Sequence, residues 1–144
     1  MKSIIPALLF AGFALCACAT TPPPVTGNPA DLTGRHWTLV ELNGLAVPSG
    51  AREAYILLDA AELRYSGSGG CNGMGGAYVL QPGNHIHFSQ GMHTMMACQT
   101  GMDTEAGFSE VLEKADTYSV SGDTLTLEAG DTSLARFEAK RVSE

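Results

Sequence analysis

Gly67-Ser68-Gly69-Gly70-Cys71-Asn72-Gly73-Met74-Gly75-Gly76 is the densest run of conformationally permissive residues in the chain. Six of its ten residues are glycine, so the backbone here follows a path that few side chains allow. Cys71 lies in the middle and has one candidate partner downstream, Cys98. As a disulfide the pair encloses 26 residues, and loop-closure entropy then stabilises the fold by about 3–4 kcal/mol. As a nucleophile Cys71 needs a base such as His85 or His93 close by. As a redox centre it lacks the usual C-x-x-C spacing. The disulfide is the stronger reading. The glycine run has no G-K-[ST] ending and no long helix directly after it, so it does not make a phosphate cradle. It also misses the G-x-S-x-G frame of a nucleophile elbow. What remains is a tight turn that lets strands approach closely beside a disulfide.

The N-terminus says where such a disulfide would form. Lys2 precedes an apolar run from Ile4 to Leu15, too short to span a bilayer as a helix, and residues 1–17 read as an export signal. Leu15-Cys16-Ala17-Cys18 resembles a bacterial lipobox with Cys18 as the acylated residue; Cys16 fits less well, because Phe13 would stand three residues before it. The competing reading is an ordinary signal peptide cut near Ala17 or Ala19. With Cys16 removed and Cys18 acylated, Cys71 and Cys98 are left as a pair in an oxidising compartment. Residues 18–31 contain four prolines and small polar residues, the composition of a linker. Residues 32–144 form the domain. Ala19 is not the aspartate that resembles an inner-membrane retention signal, which points to the outer membrane, facing the periplasm. The formal charge of −7 excludes a nucleic-acid partner, which needs a basic footprint. It also leaves membrane attachment to the acyl chains.

Along the domain, the patterning is that of short strands. Residues 36–42 alternate Trp37, Leu39 and Glu41 against Thr38, Val40 and Leu42, and Asn43-Gly44 ends the run. Residues 54–58 are an apolar run of strand length. Residues 62–66 put Leu63 and Tyr65 on one face. Residues 77–80 form another short strand after the glycine turn. Residues 84–89 set His85, His87 and Ser89 against Ile86 and Phe88, a half-buried strand. From Met102 to Ala115, Phe108, Val111, Leu112 and Ala115 recur at three and four residues, which predicts a helix. Thr100 with Asp103 suggests a capping box, or Asp103 itself the cap. Glu110 and Lys114 form an i,i+4 pair on the wet face, and Gly107 weakens the helix. A hairpin over 118–127 and a last strand over 133–139, with Ala135 and Phe137 inward, complete the chain. The expected fold is mainly β (α+β): a small antiparallel barrel or curved sheet of about eight strands with one covering helix.

Five ordered pieces of this domain resemble the META domain family, that of the heat-inducible lipoprotein HslJ. They are Leu32-x-Gly34-x-x-Trp37-x-Leu39-x-x-Leu42-Asn43-Gly44; Gly67-x-Gly69-Gly70-Cys71-Asn72 with Gly76-x-Tyr78; Thr94-x-Met96-Ala97-Cys98; Glu105-x-x-Phe108-x-x-x-Leu112; and Tyr118 through Gly122-Asp123-Thr124-Leu125-Thr126-Leu127. Two positions depart from the family pattern: Met74 replaces an aromatic residue and Met95 a basic one. The resemblance implies an envelope protein linked to stress or antibiotic tolerance and attaches no reaction to it.

The sharpest chemical lead is the histidine and methionine cluster. His85 and His87 share a strand face, and His93, Met92, Met95, Met96 and Met102 follow closely. Imidazole plus thioether suits copper. The simpler reading is an ordinary outer strand face and a methionine-packed loop. Trp37 reads as a core anchor, Asn72 as a local turn former, and Glu105 as a partner of the helix dipole. No catalytic residue and no cofactor are expected. The chain reads as a non-enzymatic envelope protein that binds an unknown envelope protein partner. Alternatives are a copper or small-ligand binder and an inhibitor of a secreted hydrolase.

Overall fold

Nine antiparallel strands are joined edge to edge in the computed structural model of the protein, which describes residues 28–48 and 52–140. The export signal, the lipobox with Cys18 and most of the linker lie outside the described residues. A single helical turn, α1 (Pro29–Leu32), opens the description with Asn28 as its cap. The last residues of the proline-rich segment, Pro29 to Asp31, thus belong to this turn. The strands are β1 (His36–Leu42), β2 (Leu45–Ala46), β3 (Ala54–Asp59), β4 (Arg64–Gly69), β5 (Gly73–Gln81), β6 (His85–His93), β7 (Thr117–Ser121), β8 (Thr124–Ala129) and β9 (Thr132–Ala139), with α2 (Met102–Lys114) between β6 and β7. They follow one another in the sheet in chain order from β3 to β9, with β1 beside β3 and β2 outside it. β1 also pairs with β9, so the sheet closes into a ring. No helix among the described residues is long and apolar enough to cross a membrane.

The ring's inner face is the core. Trp37, Leu39, Ile56, Leu58, Tyr78, Leu125, Leu127 and Phe137 come from alternating strand positions, and Phe108, Val111 and Leu112 from the apolar stripe of α2. Trp37 is fully enclosed, and its indole N–H donates to the Leu32 carbonyl at 2.8 Å, which fastens α1 to the ring. Phe108 meets Phe137 at 5.5 Å between ring centroids. Gly107, a weak helix former, lies against β1: a Cβ there would stand 2.7 Å from Leu42 Cδ2, so the Leu42 side chain would have to shift to admit one. Glu110 and Lys114 pair at 2.5 Å as expected.

Four expectations are corrected. The glycine stretch is not one long turn: β4 reaches Gly69, β5 starts at Gly73, and only three residues connect them. Leu63 does not share an inner face with Tyr65; it has a positive φ of 52° and is exposed in the turn before β4. Glu41 leaves the face of Trp37 and Leu39, because the pairing of β1 with β9 slips between Leu39 and Glu41. That bulge sends Glu41 to Arg136 at 3.1 Å and packs Leu42 against the core. Finally, neither Thr100 nor Asp103 caps α2. Gly101 occupies the cap with φ 91°, and no side chain caps the first turn.

Candidate functional site

The buried polar centre of the described structure is Asn72, only 2% exposed at the end of the β4–β5 connection. Its side chain reaches well beyond its own turn. The amide nitrogen donates to the Met96 carbonyl at 3.1 Å and to Glu105 Oε1 at 3.0 Å. The amide oxygen accepts from the Thr94 hydroxyl at 2.8 Å and from the Met96 N–H at 2.7 Å. The Asn72 backbone N–H donates to the other Glu105 oxygen at 2.6 Å, and the Thr94 hydroxyl accepts from the Gly73 N–H at 3.1 Å. One side chain thus ties together the β4–β5 connection, the irregular segment 94–98 that we term the strap, and the first turn of α2. The expectation of a local turn bond at Asn72 is corrected. Its amide uses both donors and accepts twice, as far as such a group can be satisfied.

The residues around it are shaped for this contact. Cys71 and Cys98 form a disulfide, which pins the strap a second time. A Cβ on Gly69 would fall 2.5 Å from Glu105 Cγ, and one on Gly101 would fall 2.5 Å from the Gly70 carbonyl oxygen. Both glycines are therefore required for α2 to lie against the β4–β5 connection. Glu105 is more than a dipole partner: both of its oxygens hold Asn72. Met96 contributes backbone rather than core packing, since the residue is 43% exposed. Tyr78, on β5, donates its hydroxyl to the Asp59 carbonyl at 2.9 Å and braces the β3–β4 turn. The motif residues Asn72, Thr94, Met96, Glu105 and the two cysteines are thus one clasp. Sequence reasoning missed it because its partners lie more than twenty residues apart.

A groove of about 680 Å3 runs beside the clasp, lined by Thr38, Arg52, Glu53, Asp103 and Thr104 among others. Two of its charged groups, Arg52 and Glu53, are already engaged. Arg52 donates to the Cys71 carbonyl at 3.3 Å. Glu53 accepts from Thr38 at 2.5 Å and from Lys140 at 3.2 Å, and the Thr38 bond above all holds its carboxyl below the usual range.

The histidines are not gathered at one centre. His85 and His87 stand exposed on the outer face of β6 beside Gln81 and Val79, and the His85 ring lies 3.2 Å from the Asp116 carbonyl. His93 ends the same strand opposite Met74, eight residues from His85, or roughly 25 Å along a strand. Met92 is exposed and Met95 is 99% exposed. Among the described residues, no group of three or more His, Cys, Asp or Glu side chains is arranged to hold a metal ion.

A closed antiparallel ring braced by one helix, with a disulfide-pinned asparagine clasp, defines a class of small β domains. The META domain family matches residues 30–141, and the chain belongs to that family. No curated protein matches the sequence. Solved structures share the fold. A protein from Burkholderia xenovorans, solved by NMR, is 21% identical, with a TM-score of 0.66 over 94% of this chain and 99% of that one. A second protein solved by NMR is 22% identical, with a TM-score of 0.61 over 77% of this chain and 94% of that one. A DUF4847 family protein from Bacteroides vulgatus is 16% identical, with a TM-score of 0.55 over 78% and 96%.

Proposed function

We propose that this is a lipid-anchored protein of the cell envelope, tethered through Cys18 at the outer membrane, facing the periplasm. Its META domain acts by binding rather than by catalysis, in the stress or antibiotic tolerance with which the family is associated. The observation that carries the binding reading is the clasp. The motif residues with any reactive character, Cys71, Cys98 and Glu105, are spent on one another and on Asn72. The tether rests on Leu15-Cys16-Ala17-Cys18 and the proline-rich segment after it. A disulfide between Cys71 and Cys98 suits a compartment outside the cytoplasm.

The test of the tether is fractionation of cells expressing the full-length protein. The wild type should sediment with the outer membrane and incorporate a labelled fatty acid, and Cys18→Ala should lose both properties. Equal sedimentation of the Cys18→Ala protein, or an unlabelled wild type, would contradict the anchor.

A further inference from the structure

A second concavity, lined by no residue of the clasp, has chemistry that no motif residue uses. β6 pairs with β7 only at His85 and Thr117, so beyond that point β6 leaves the ring's edge open and α2 lies against it. Within this open length the strand is irregular. Gln90 has φ 52°, and the pairing with β5 slips between Gly75 and Ala77, a bulge of the kind that re-aims side chains. The cleft so formed holds about 350 Å3 between β6 and α2, at the small end of the roughly 300–1,000 Å3 of ligand pockets.

Tyr65 forms its floor. Its residue surface is only 5% exposed, yet its hydroxyl has no hydrogen-bond partner among the described residues. Every fully enclosed side-chain nitrogen and oxygen in the described structure does have one. The hydroxyl therefore opens onto the cleft. Gly91 leaves the space beside it: a Cβ there would lie 3.3 Å from the hydroxyl oxygen. Gly76 lets the Tyr65 ring pack on β5, where a Cβ would stand 2.5 Å from the Ser89 carbonyl oxygen and 2.6 Å from the ring. The Phe88 ring stands perpendicular to that of Tyr65 at 5.4 Å. Ser89, Gln90 and His93 supply polar groups on one wall, and Glu113 the carboxylate on the other. Ser109, also lining the cleft, is already bonded to the Glu105 carbonyl at 2.9 Å. Burial raises the Tyr65 pKa, Arg64 opposes this and Glu113 adds to it, so the hydroxyl stays protonated and able to donate.

We infer that this cleft binds a small neutral saccharide, one or two rings in size, with the Tyr65 hydroxyl and the Gln90, His93 and Glu113 side chains reading its hydroxyl groups. The lining contains no lysine or arginine, so no permanently charged cation is there to pair with an anion. The single carboxylate belongs to an exposed residue, where water screens its attraction for a cation. The polar groups of the lining are hydroxyl, amide and imidazole donors and acceptors, and that set suits a ligand that carries several hydroxyls. The inference deepens the binding reading above and is independent of the tether: saccharide binding can fail while acylation stands, and the reverse.

The experiment is a titration of the isotope-labelled full-length protein with N-acetylglucosamine, N,N′-diacetylchitobiose and cellobiose, followed by amide shifts. At least one sugar should move the Ser89–His93 and Ser109–Glu113 resonances in a saturable way. Tyr65→Phe, which keeps the ring and the packing, should weaken that binding about five- to tenfold, the loss of one hydrogen bond. Gly91→Ala, which fills the space beside the hydroxyl, should weaken it further while the rest of the spectrum is unchanged. Three results would overturn the inference: no saturable shift with any of the sugars, equal binding by the Tyr65→Phe protein, or displacement of the same resonances by a tetraalkylammonium ion but by no sugar.

Discussion

Asn72→Ala is expected to destabilise the domain by roughly 3–4 kcal/mol, lowering its melting temperature by on the order of 10 °C. The substitution removes two donated and two accepted hydrogen bonds. Its larger effect lies in what stays behind. The Met96 N–H and carbonyl, the Thr94 hydroxyl and one Glu105 oxygen lose partners next to a site that water enters poorly. A partner left unsatisfied costs more than the bond itself was contributing. Asn72→Asp should be no better, since it sets a second carboxylate against Glu105 and loses the amide donors. Thermal or denaturant unfolding of both variants measures this. A change within about 1 kcal/mol for Asn72→Ala would mean that the clasp carries little of the stability.

The second large effect belongs to the disulfide. The Cys71→Ser, Cys98→Ser double variant should lose about 3 kcal/mol, because cysteines 27 positions apart no longer restrict the unfolded chain. The two effects should not add. Cys98 and Met96 sit in the same strap, so a chain lacking both the disulfide and the Asn72 amide should lose less than the sum of the separate losses. Alkylation of the exported protein after denaturation without reductant checks the bond itself: Cys71 and Cys98 should stay unlabelled, and two labelled thiols there would refute it.

What the sequence showed, and what it hid, divides along the reach of its signals. Periodicity is local, so it correctly marked β1, β3, the first half of β6, α2 and the closing hairpin, together with Trp37, Phe108 and Phe137 as core. It under-read β4 and β5 because glycine carries no alternation. It overlooked β2, which has two exposed residues and no inner face. Asn72 is ordinary turn chemistry to a local reading, yet its partners Met96 and Glu105 are brought to it only by closure of the ring and docking of α2. The three histidines do not converge, for a related reason. Sequence proximity suggested a group, but a strand carries His85 and His93 apart as far as its length allows. The Tyr65 cleft had almost no signal, since Gly76 and Gly91 look like any other glycines in a glycine-rich chain. The unpaired length of β6 follows from where α2 sits.

The family motif is a structural clasp that holds the strap. Native-state hydrogen exchange at the Met96 amide tests this most directly. Met96 lies in an exposed segment without regular secondary structure, where an amide would ordinarily exchange freely. Its N–H donates to Asn72 at 2.7 Å. The wild-type amide should therefore be protected nearly as well as those of the neighbouring core strands, and Asn72→Ala should abolish that protection. A wild-type Met96 amide exchanging within about tenfold of the unprotected rate would contradict the clasp.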